Sequence, residues 1–291
     1  MPGSPYTDLD RPPLDERRLR RALVSPHGPW TRLELRTETA STNADVAGAA
    51  RSGEPEGLVV VAERQTAGRG RRGRVWQSPP RAGIAVSVLL RPGEPDAHHG
   101  WDAVPTSEYG WLPLLAGVAL VETVERLAEL DSNLKWPNDL LVDGAKCAGI
   151  LAETVPAVDP KAPPAIVLGI GLNVTLRADE LPENPTGLPA TSLKLAGAKA
   201  TDRAPLLMAL LRSLGNWYGR WRALAGDAEA SGLRDAYVDA CGTIGREVRV
   251  LLPTGDDLVG TATSLDLDGR LVVRAADGEH RVAAGDVLHL R

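Results

Sequence analysis

A short glycine- and arginine-rich segment is the part of this sequence best suited to bind an anion. Residues 68–74 read Gly-Arg-Gly-Arg-Arg-Gly-Arg and follow the apolar run Leu58–Glu63. Glycine lets backbone N–H groups approach phosphate or carboxylate oxygens, and arginine binds such oxygens with two parallel hydrogen bonds. Because the whole chain carries a net charge of -5, this concentration of positive charge stands out from its background. The alternatives are a solvated basic turn and a segment that binds nucleic acid.

The same segment matches the Gly-x-Gly-x-x-Gly pattern of dinucleotide-binding folds, but its surroundings do not fit. In those folds the glycines open a helix, whereas residues 75–80 read Val-Trp-Gln-Ser-Pro-Pro and cannot continue as one. The chain also lacks the Gly-x-x-x-x-Gly-Lys-Ser/Thr phosphate loop. We therefore expect a phosphate-handling loop of another kind.

A second motif, residues 135–139, places a cation, an amide and a carboxylate around a proline turn. Pro-Asn-Asp is ordinary turn chemistry, but this does not explain why Lys135 and Lys146 bracket the turn. Asp139 could hold Mg²⁺ or act as a base, and Asn138 could orient a phosphate. Residues 169–173 end a predicted strand with two glycines and an asparagine, which suits either a closely approaching ligand or a packed sheet terminus.

The composition is that of an ordinary globular protein. With 291 residues, 43% hydrophobic and 24% charged, the chain is long enough for one large domain and a smaller one. It contains no apolar run that could span a bilayer and no signal-like start, so we expect a cytoplasmic protein. Its two cysteines, Cys147 and Cys241, and its five histidines show no zinc-site spacing.

The elements that must position these motifs follow from the apolar patterns. We predict helices over residues 14–24, 41–51, 112–130 and 202–224, and strands over 58–63, 83–90 and 165–173. Three further short strands are predicted within 134–153, and a mobile loop over 176–189. After residue 242, turn signals at 253–255, 268–269 and 277–278 separate four short strands, which is typical of a small antiparallel barrel.

This organisation divides the chain into three parts. Residues 1–30 are expected to form an N-terminal extension that is partly disordered. Residues 31–241 are expected to form the main domain, and residues 242–291 the small β-domain.

Taken in order, the motifs resemble those of the biotin protein ligases. The motifs that carry the resemblance are Ser41-Thr42-Asn43, Gly68–Gly73, Lys135–Asp139, Lys146–Glu153 and Gly169–Asn173. The resemblance implies a mixed α/β catalytic domain, like that of class II aminoacyl-tRNA synthetases, followed by an SH3-like barrel. It also implies a reaction in which biotin and ATP form biotinyl-5′-AMP, with Mg²⁺ present. Biotin would then pass to a lysine of a biotin carboxyl carrier domain, the partner being an acyl-CoA or pyruvate carboxylase.

The same resemblance implies roles for individual residues. Biotin would be bound by Ser41, Thr42, Asn43, Gln65, Gly68, Arg69, Gly70, Arg71, Lys146 and Gly149. ATP would be bound by Arg69, Arg71, Arg74, Trp76, Lys135, Asn138 and Asn173. Catalysis would rest on Lys146, Arg71 and Asp139, and Asp139 would also be the Mg²⁺ ligand. The residue chemistry agrees, because joining a carboxylate to a phosphate requires cations that hold two anions together. Arg72 is expected to face water.

Two alternatives remain open at this point. Lipoate and octanoyl ligases and transferases share the catalytic fold, and some use a cysteine thiol, so Cys147 matters, although a small apolar filler is the simpler interpretation of that residue. Some biotin ligases are also repressors that read DNA. The proline-rich first 40 residues and the net charge of -5 instead favour a monofunctional ligase without a DNA-binding domain. We expect a monomer or weak dimer with no membrane partner.

Overall fold

The computed structural model describes residues 11–157, 159–182, 188–252, 257–283 and 285–290. Part of the predicted N-terminal extension, the middle of the predicted 176–189 loop and the predicted turn at 253–255 lie outside the described residues.

Five helices and twelve strands make up the described part of the chain. The helices are α1 (Glu16–Leu23), α2 (Thr42–Arg51), α3 (Trp111–Thr123), α4 (Arg203–Ala223) and α5 (Leu233–Ala240). The first seven strands are β1 (Arg32–Arg36), β2 (Leu58–Ala62), β3 (Gly83–Leu90), β4 (Asn133–Lys135), β5 (Asp139–Val142), β6 (Ala145–Val155) and β7 (Ala165–Asn173). The last five are β8 (Glu247–Leu251), β9 (Asp257–Leu265), β10 (Leu271–Ala275), β11 (Gly278–Val282) and β12 (Asp286–His289).

The larger sheet is mixed, which confirms the predicted fold class. Its strand order is β1-β2-β3-β7-β6-β5-β4, and β1 and β2 are parallel while the other neighbours are antiparallel. The three short strands predicted within residues 134–153 form β4, β5 and most of β6. Strand β1 and helix α5 were not predicted. Helix α3 ends earlier than predicted because residues 124–128 form a π-helical turn.

The two faces of this sheet are covered differently. Side chains alternate along β2, so Val59 and Val61 join the main core with α3 and α4, whereas Leu58 and Val60 pack with Val46 of α2. Since α2 is short, it covers only part of its face. The remainder of that face is available for a ligand site.

The C-terminal segment forms a five-stranded antiparallel sheet with strand order β11-β10-β9-β8-β12. This is consistent with the predicted small barrel, although β12 was not predicted. The segment is fastened to the main domain by two tryptophans. Trp111 Nε1 donates to the Leu267 carbonyl at 2.7 Å, and Trp136 Nε1 donates to the Gly269 carbonyl at 3.2 Å. These contacts place β12 beside the uncovered face of the large sheet.

The described part of the predicted extension, residues 11–30, is folded. Leu19 and Leu23 of α1 are fully buried in the main core. The Glu63 carboxylate accepts the Leu14 N–H at 2.6 Å, and Arg203 Nη2 donates to the Pro12 carbonyl at 2.7 Å. Within the described residues, no helix combines the length and apolar character required to cross a membrane.

Candidate active site

A cavity of about 630 Å³ lies on the α2 face of the large sheet. Its walls come from the N-terminus of α2, the arginine-rich segment, strands β5 to β7, and β12 of the C-terminal domain. Every site residue predicted from the sequence lines this cavity except Gly68. Gly68 lies directly behind the wall, where a Cβ would come within 2.4 Å of the Trp76 carbonyl oxygen.

The floor of the cavity is made of glycine so that an aromatic ring can lie on the sheet. Gly149 and Gly171 are paired across β6 and β7, and Trp76 lies over both. A Cβ at Gly171 would be 2.4 Å from Cε2 of the Trp76 ring, and one at Gly149 would be 3.2 Å from its Cζ3. These strand glycines are therefore required by close approach and not by a turn.

The arginine-rich segment folds back on itself as a compact loop. The Gly70 N–H donates to the Arg74 carbonyl at 2.7 Å, and the Trp76 N–H donates to the Gly68 carbonyl at 2.9 Å. Gly73 has a φ of 73°, the left-handed backbone that glycine adopts at little cost. This fold turns several guanidinium groups toward the cavity.

The four arginines of the loop are unequal. Arg71 Nη1 donates to Asn138 Oδ1 at 3.0 Å, and burial lowers the pKa of its guanidinium. Arg74 forms an ion pair with Asp286 of β12, which also pairs with Arg72 at 3.3 Å. Arg72 is thus half-exposed but not free, contrary to the expectation that it faces only water. Arg69 also lines the cavity.

Lys146 and Asp139 form the central charge pair of the site. Lys146 Nζ lies 2.6 Å from Asp139 Oδ1, and Asp139 is only 8% exposed. Beyond this ion pair, the buried oxygen has no hydrogen-bond donor among the described residues. Lys146 also lies over Trp76, 5.8 Å from the ring centroid. Burial lowers the pKa of nearby Lys135, and Asp139 partly opposes that shift.

The far end of the cavity is polar and uncharged. It is formed by Ser41 and Thr42 at the start of α2 and by Gln65 after β2. The Gln65 Oε1 atom accepts the Thr42 N–H at 2.8 Å. The N-terminus of α2 also brings the positive end of the helix dipole to this end of the cavity.

Comparison with known proteins identifies the family. Residues 37–173 match the Biotin/lipoate A/B protein ligase family, and residues 243–290 match the Biotin protein ligase C terminal domain. The chain is 42% identical to the biotin–[acetyl-CoA-carboxylase] ligase of Mycobacterium tuberculosis, over 98% of this chain and 100% of that protein. The chain belongs to the biotin protein ligase family.

Two further members of the biotin protein ligase family show how far the similarity extends. The bifunctional ligase/repressor BirA of Bacillus subtilis is 33% identical over 82% of this chain and 68% of its own length. The biotin protein ligase of Aquifex aeolicus, solved in complex with biotin and ATP, has a TM-score of 0.68 and 26% identity. That match covers 90% of this chain and 100% of the Aquifex chain, so both domains share the family fold.

In this member of the biotin protein ligase family, the C-terminal domain contributes cavity residues that sequence reasoning missed. Asp286, Val287, Leu288 and His289 of β12 all line the cavity. His289 Nε2 lies 2.9 Å from Thr243 Oγ1, and burial, with the charges of Lys135 and Arg246, lowers its pKa to about 4. A single aspartate or histidine in a short strand carries no motif, so the sequence offered no signal for either.

The structure also bears on Cys147, the residue that matters for thiol chemistry. Cys147 is fully buried, and its Sγ lies 3.5 Å from the Asn173 carbonyl oxygen. Burial raises the pKa of the thiol to about 12, so it stays protonated at neutral pH. Cys147 is also absent from the cavity lining. The interpretation as an apolar filler is therefore the one that fits.

The site offers limited support for a metal ion. Within the described ranges, no group of three or more His, Cys, Asp or Glu side chains is arranged to bind one. The cavity has two lining carboxylates, Asp139 and Asp286, and the latter is engaged by arginines. Asp139 is paired with Lys146, but beyond that pair its Oδ1 atom has no hydrogen-bond donor among the described residues, so it is the carboxylate oxygen best placed to contact a cation.

Proposed function

We propose that this chain is a biotin protein ligase, which joins biotin and ATP to form biotinyl-5′-AMP and then transfers biotin to a lysine of a biotin carboxyl carrier domain. The observation that carries the proposal is that one cavity is lined by Lys146 and three arginines of the 68–74 loop, by the ring of Trp76, and by the uncharged polar side chains at its far end. The full-length similarity to the Mycobacterium tuberculosis enzyme favours biotin over lipoate or octanoate as the acid that is activated.

The first step requires the site to bring two anions together. The biotin carboxylate attacks the α-phosphorus of ATP, a bond forms between carboxylate oxygen and phosphorus, and pyrophosphate leaves. Lys146 and Arg71 both line the cavity, and we assign them to the carboxylate and the α-phosphate. Such preorganised charges stabilise the transition state more than water does, because the site need not reorganise around them.

The two ends of the cavity suit the two substrates. We assign the polar end, with Ser41, Thr42 and Gln65, to the ring of biotin. We assign Trp76, Lys135 and Arg74 to the nucleotide, whose adenine can pack against the indole and whose phosphates can face the cations. Asn138 and Asn173 would then act mainly as supports. Asn138 accepts from Arg71 and donates to the Ile150 carbonyl at 3.1 Å, and Asn173 donates to the Thr191 carbonyl at 2.9 Å.

The remaining biotin assignments belong to the backbone and the loop. Gly68 and Gly149 leave room for Trp76 beside the ligand, and Gly70 and Arg69 line the cavity. Asn43 is a special case among the predicted biotin contacts. Both hydrogens of its amide nitrogen are used internally, on Glu153 Oε2 at 2.6 Å and on the Leu151 carbonyl at 3.3 Å. We therefore assign Asn43 to the support of the biotin end.

We propose Mg²⁺ as the metal that accompanies ATP, with Asp139 as its protein ligand. Mg²⁺ commonly binds through substrate phosphates and one or two carboxylates and keeps several waters, which suits a site where one lining carboxylate, that of Asp139, is not held by arginines. When bound, the ion neutralises phosphate charge. A titration of Mg²⁺ against ATP binding by the wild type and Asp139→Asn tests the assignment. Equal Mg²⁺ dependence in both would remove Asp139 as a ligand.

The second step transfers biotin from the adenylate to an amine. The acceptor lysine attacks the acyl carbon, and AMP leaves with the bonding electrons while the amine loses a proton. We propose that the acceptor is the carrier domain of an acyl-CoA or pyruvate carboxylase, and that the reaction takes place in the cytoplasm, where ATP is plentiful. The arginine-rich loop lies over the cavity at the point where the adenylate would sit, so it can retain the intermediate and exclude water.

One experiment tests the proposal directly. The protein is incubated with ATP, Mg²⁺, biotin and a recombinant carrier domain, and the carrier is examined by mass spectrometry for one biotinylated lysine. Parallel reactions contain lipoate or octanoate in place of biotin. Modification by biotin alone is expected. Preferential transfer of lipoate or octanoate would refute the proposed substrate.

A further inference from the structure

A histidine of the C-terminal domain is tied to the second sequence motif by a short chain of buried contacts. His289 of β12 and Lys135 of β4 both line the cavity, although they belong to different domains. The Trp136 N–H, next to Lys135 in the chain, donates to Thr243 Oγ1 at 3.0 Å, and this oxygen lies 2.9 Å from His289 Nε2. Since Thr243 is fully buried, the imidazole ring is held in place beside the motif.

Only one of the two ring nitrogens of His289 is engaged. Nε2 faces the Thr243 hydroxyl, whereas Nδ1 has no hydrogen-bond partner in the part of the chain that the structure describes. An imidazole nitrogen that carries a hydrogen can donate to an anionic oxygen. One nitrogen therefore orients the ring, and the other remains available to a ligand.

The surroundings of this ring are positively charged. Burial is the largest cause of the lowered pKa of His289, about 4, and the charges of Lys135 and Arg246 lower it further. Val248, the residue opposite His289 on β8, is apolar. Asp286, the carboxylate on the same strand, is already held by two arginines of the loop. The ring is thus neutral at pH 7 in a place that favours an anion.

The position of this cluster suits a polyanion. The charges of Asp286 and Arg74 also act on Lys135, so the cluster lies where β4, the arginine-rich loop and β12 meet. The uncharged polar end of the cavity is formed by other elements, the start of α2 and the residues after β2. Several cations in one place match a triphosphate better than a single carboxylate.

We propose that His289 binds a phosphate of ATP together with Lys135, and that it takes up a proton from solvent when this phosphate arrives. The negative charge of the phosphate offsets that of Lys135, so the charged form of the ring becomes favourable. With both ring nitrogens protonated, Nδ1 donates to a phosphate oxygen. This assignment rests on the proposed function, because it places the nucleotide at this side of the cavity.

The test measures proton uptake while the full-length protein binds ATP. ATP is titrated calorimetrically at pH 6 and saturating Mg²⁺ in buffers of different ionisation enthalpy, and the dependence of the observed heat on that enthalpy gives the protons taken up. Wild type is expected to take up about half a proton more per ATP than His289→Asn. The matched control is His280→Asn, at a histidine of the same domain outside the cavity, and it should behave as wild type.

The pH dependence of ATP affinity gives a second measurement. Because the ring is neutral in the free enzyme and charged in the complex, it should favour ATP binding more as the pH falls from 8 to 6. The ratio of ATP Kd values, His289→Asn over wild type, should rise about tenfold across that range, and His289→Gln should give the same result. Protonation of ATP itself cancels in this ratio.

Two results would overturn the inference. One is equal proton uptake by wild type and His289→Asn. The other is a Kd ratio that stays constant with pH, since a merely structural role of His289 would weaken ATP binding equally at every pH. Failure of the wild type to bind ATP at all would instead refute the proposed function.

Discussion

Removal of the Lys146 charge is the most direct perturbation of the proposed chemistry. In Lys146→Ala, a cation 2.6 Å from Asp139 is lost from a site that must bind a carboxylate and a triphosphate. Loss of one preorganised donor costs about 2–4 kcal/mol in the transition state, which corresponds to roughly 30- to 1,000-fold in the rate of adenylation. The change also leaves Asp139, only 8% exposed, as an uncompensated negative charge.

The second effect can be separated from the first. At an effective dielectric constant of about 20, an extra negative charge about 5 Å from a substrate anion repels it by about 3 kcal/mol. Lys146→Ala/Asp139→Asn removes both charges, so it should recover part of the loss, roughly 10- to 100-fold relative to Lys146→Ala alone. The comparison is made at saturating Mg²⁺, because Asp139→Asn also removes the proposed metal ligand, and under that condition the double variant should be the faster enzyme.

The assay is biotin-dependent exchange of labelled pyrophosphate into ATP, which reports the first step without an acceptor. KM values for biotin and ATP are measured in the same series, and Lys194→Ala, an exposed lysine outside the cavity, is the control. An unchanged exchange rate in Lys146→Ala would show that this lysine is not at the reacting centre. A double variant no faster than Lys146→Ala would refute the charge argument.

Four further predictions follow from the structure. Arg71→Gly removes the guanidinium that binds Asn138, and it should release biotinyl-5′-AMP into solution, detected by chromatography of the filtrate. Cys147→Ser should retain ligation, because a buried thiol with a pKa of about 12 offers no nucleophile. His289→Asn should make the free energy of unfolding less dependent on pH. The pKa of His289 in the folded protein, about 4, lies below the ordinary value of 6.5, so the wild type loses stability as the pH falls from 6.5 toward 4. The loss should be about 1 kcal/mol, because the ring is half-buried and partly screened by water. Arg203→Met should lower the free energy of unfolding in urea by about 3–5 kcal/mol, because it leaves Glu63 buried without its cation, whereas Arg249→Met at an exposed ion pair should change it by less than about 1 kcal/mol.

Each of these has an outcome that would contradict it. Retention of the adenylate by Arg71→Gly, as tight as in wild type, would mean that another part of the loop closes the site. Complete loss of ligation in Cys147→Ser, with the fold intact by circular dichroism, would reopen thiol chemistry. Parallel stability curves for wild type and His289→Asn between pH 6.5 and 4 would show that folding does not change the pKa of this ring. Equal destabilisation by Arg203→Met and Arg249→Met would refute the difference between buried and exposed pairs.

Local patterns in the sequence were sufficient to predict most of the elements that carry the motifs. The valine-rich runs became β2 and β3, and the block after residue 134 became three antiparallel strands, as predicted. Helix α4 also lies where its apolar stripe placed it. These features depend on nearby residues alone, because side chains on the same face of a strand or helix are two to four positions apart in sequence.

Elements with weak local signals were missed. The strand β1 reads Arg-Leu-Glu-Leu-Arg, and its burial comes from pairing with β2 rather than from an apolar run. Strand β12 is four residues long and completes a sheet through β8. These edge strands form because a neighbouring strand offers backbone N–H and C=O groups for pairing. That neighbour is distant in sequence, so no local pattern predicts the strand.

The sequence by itself determined the motifs, the mixed α/β class and the resemblance that led to biotin chemistry. It could not show that Asp286 and His289 enter the cavity, because this depends on how Trp111 and Trp136 fasten the C-terminal sheet to the main domain. Nor could it show that the Asn43 side chain is held between Glu153 and Ser87, which lie on two strands of the sheet. Tertiary structure decided both points, since packing alone brings together groups that are distant in sequence.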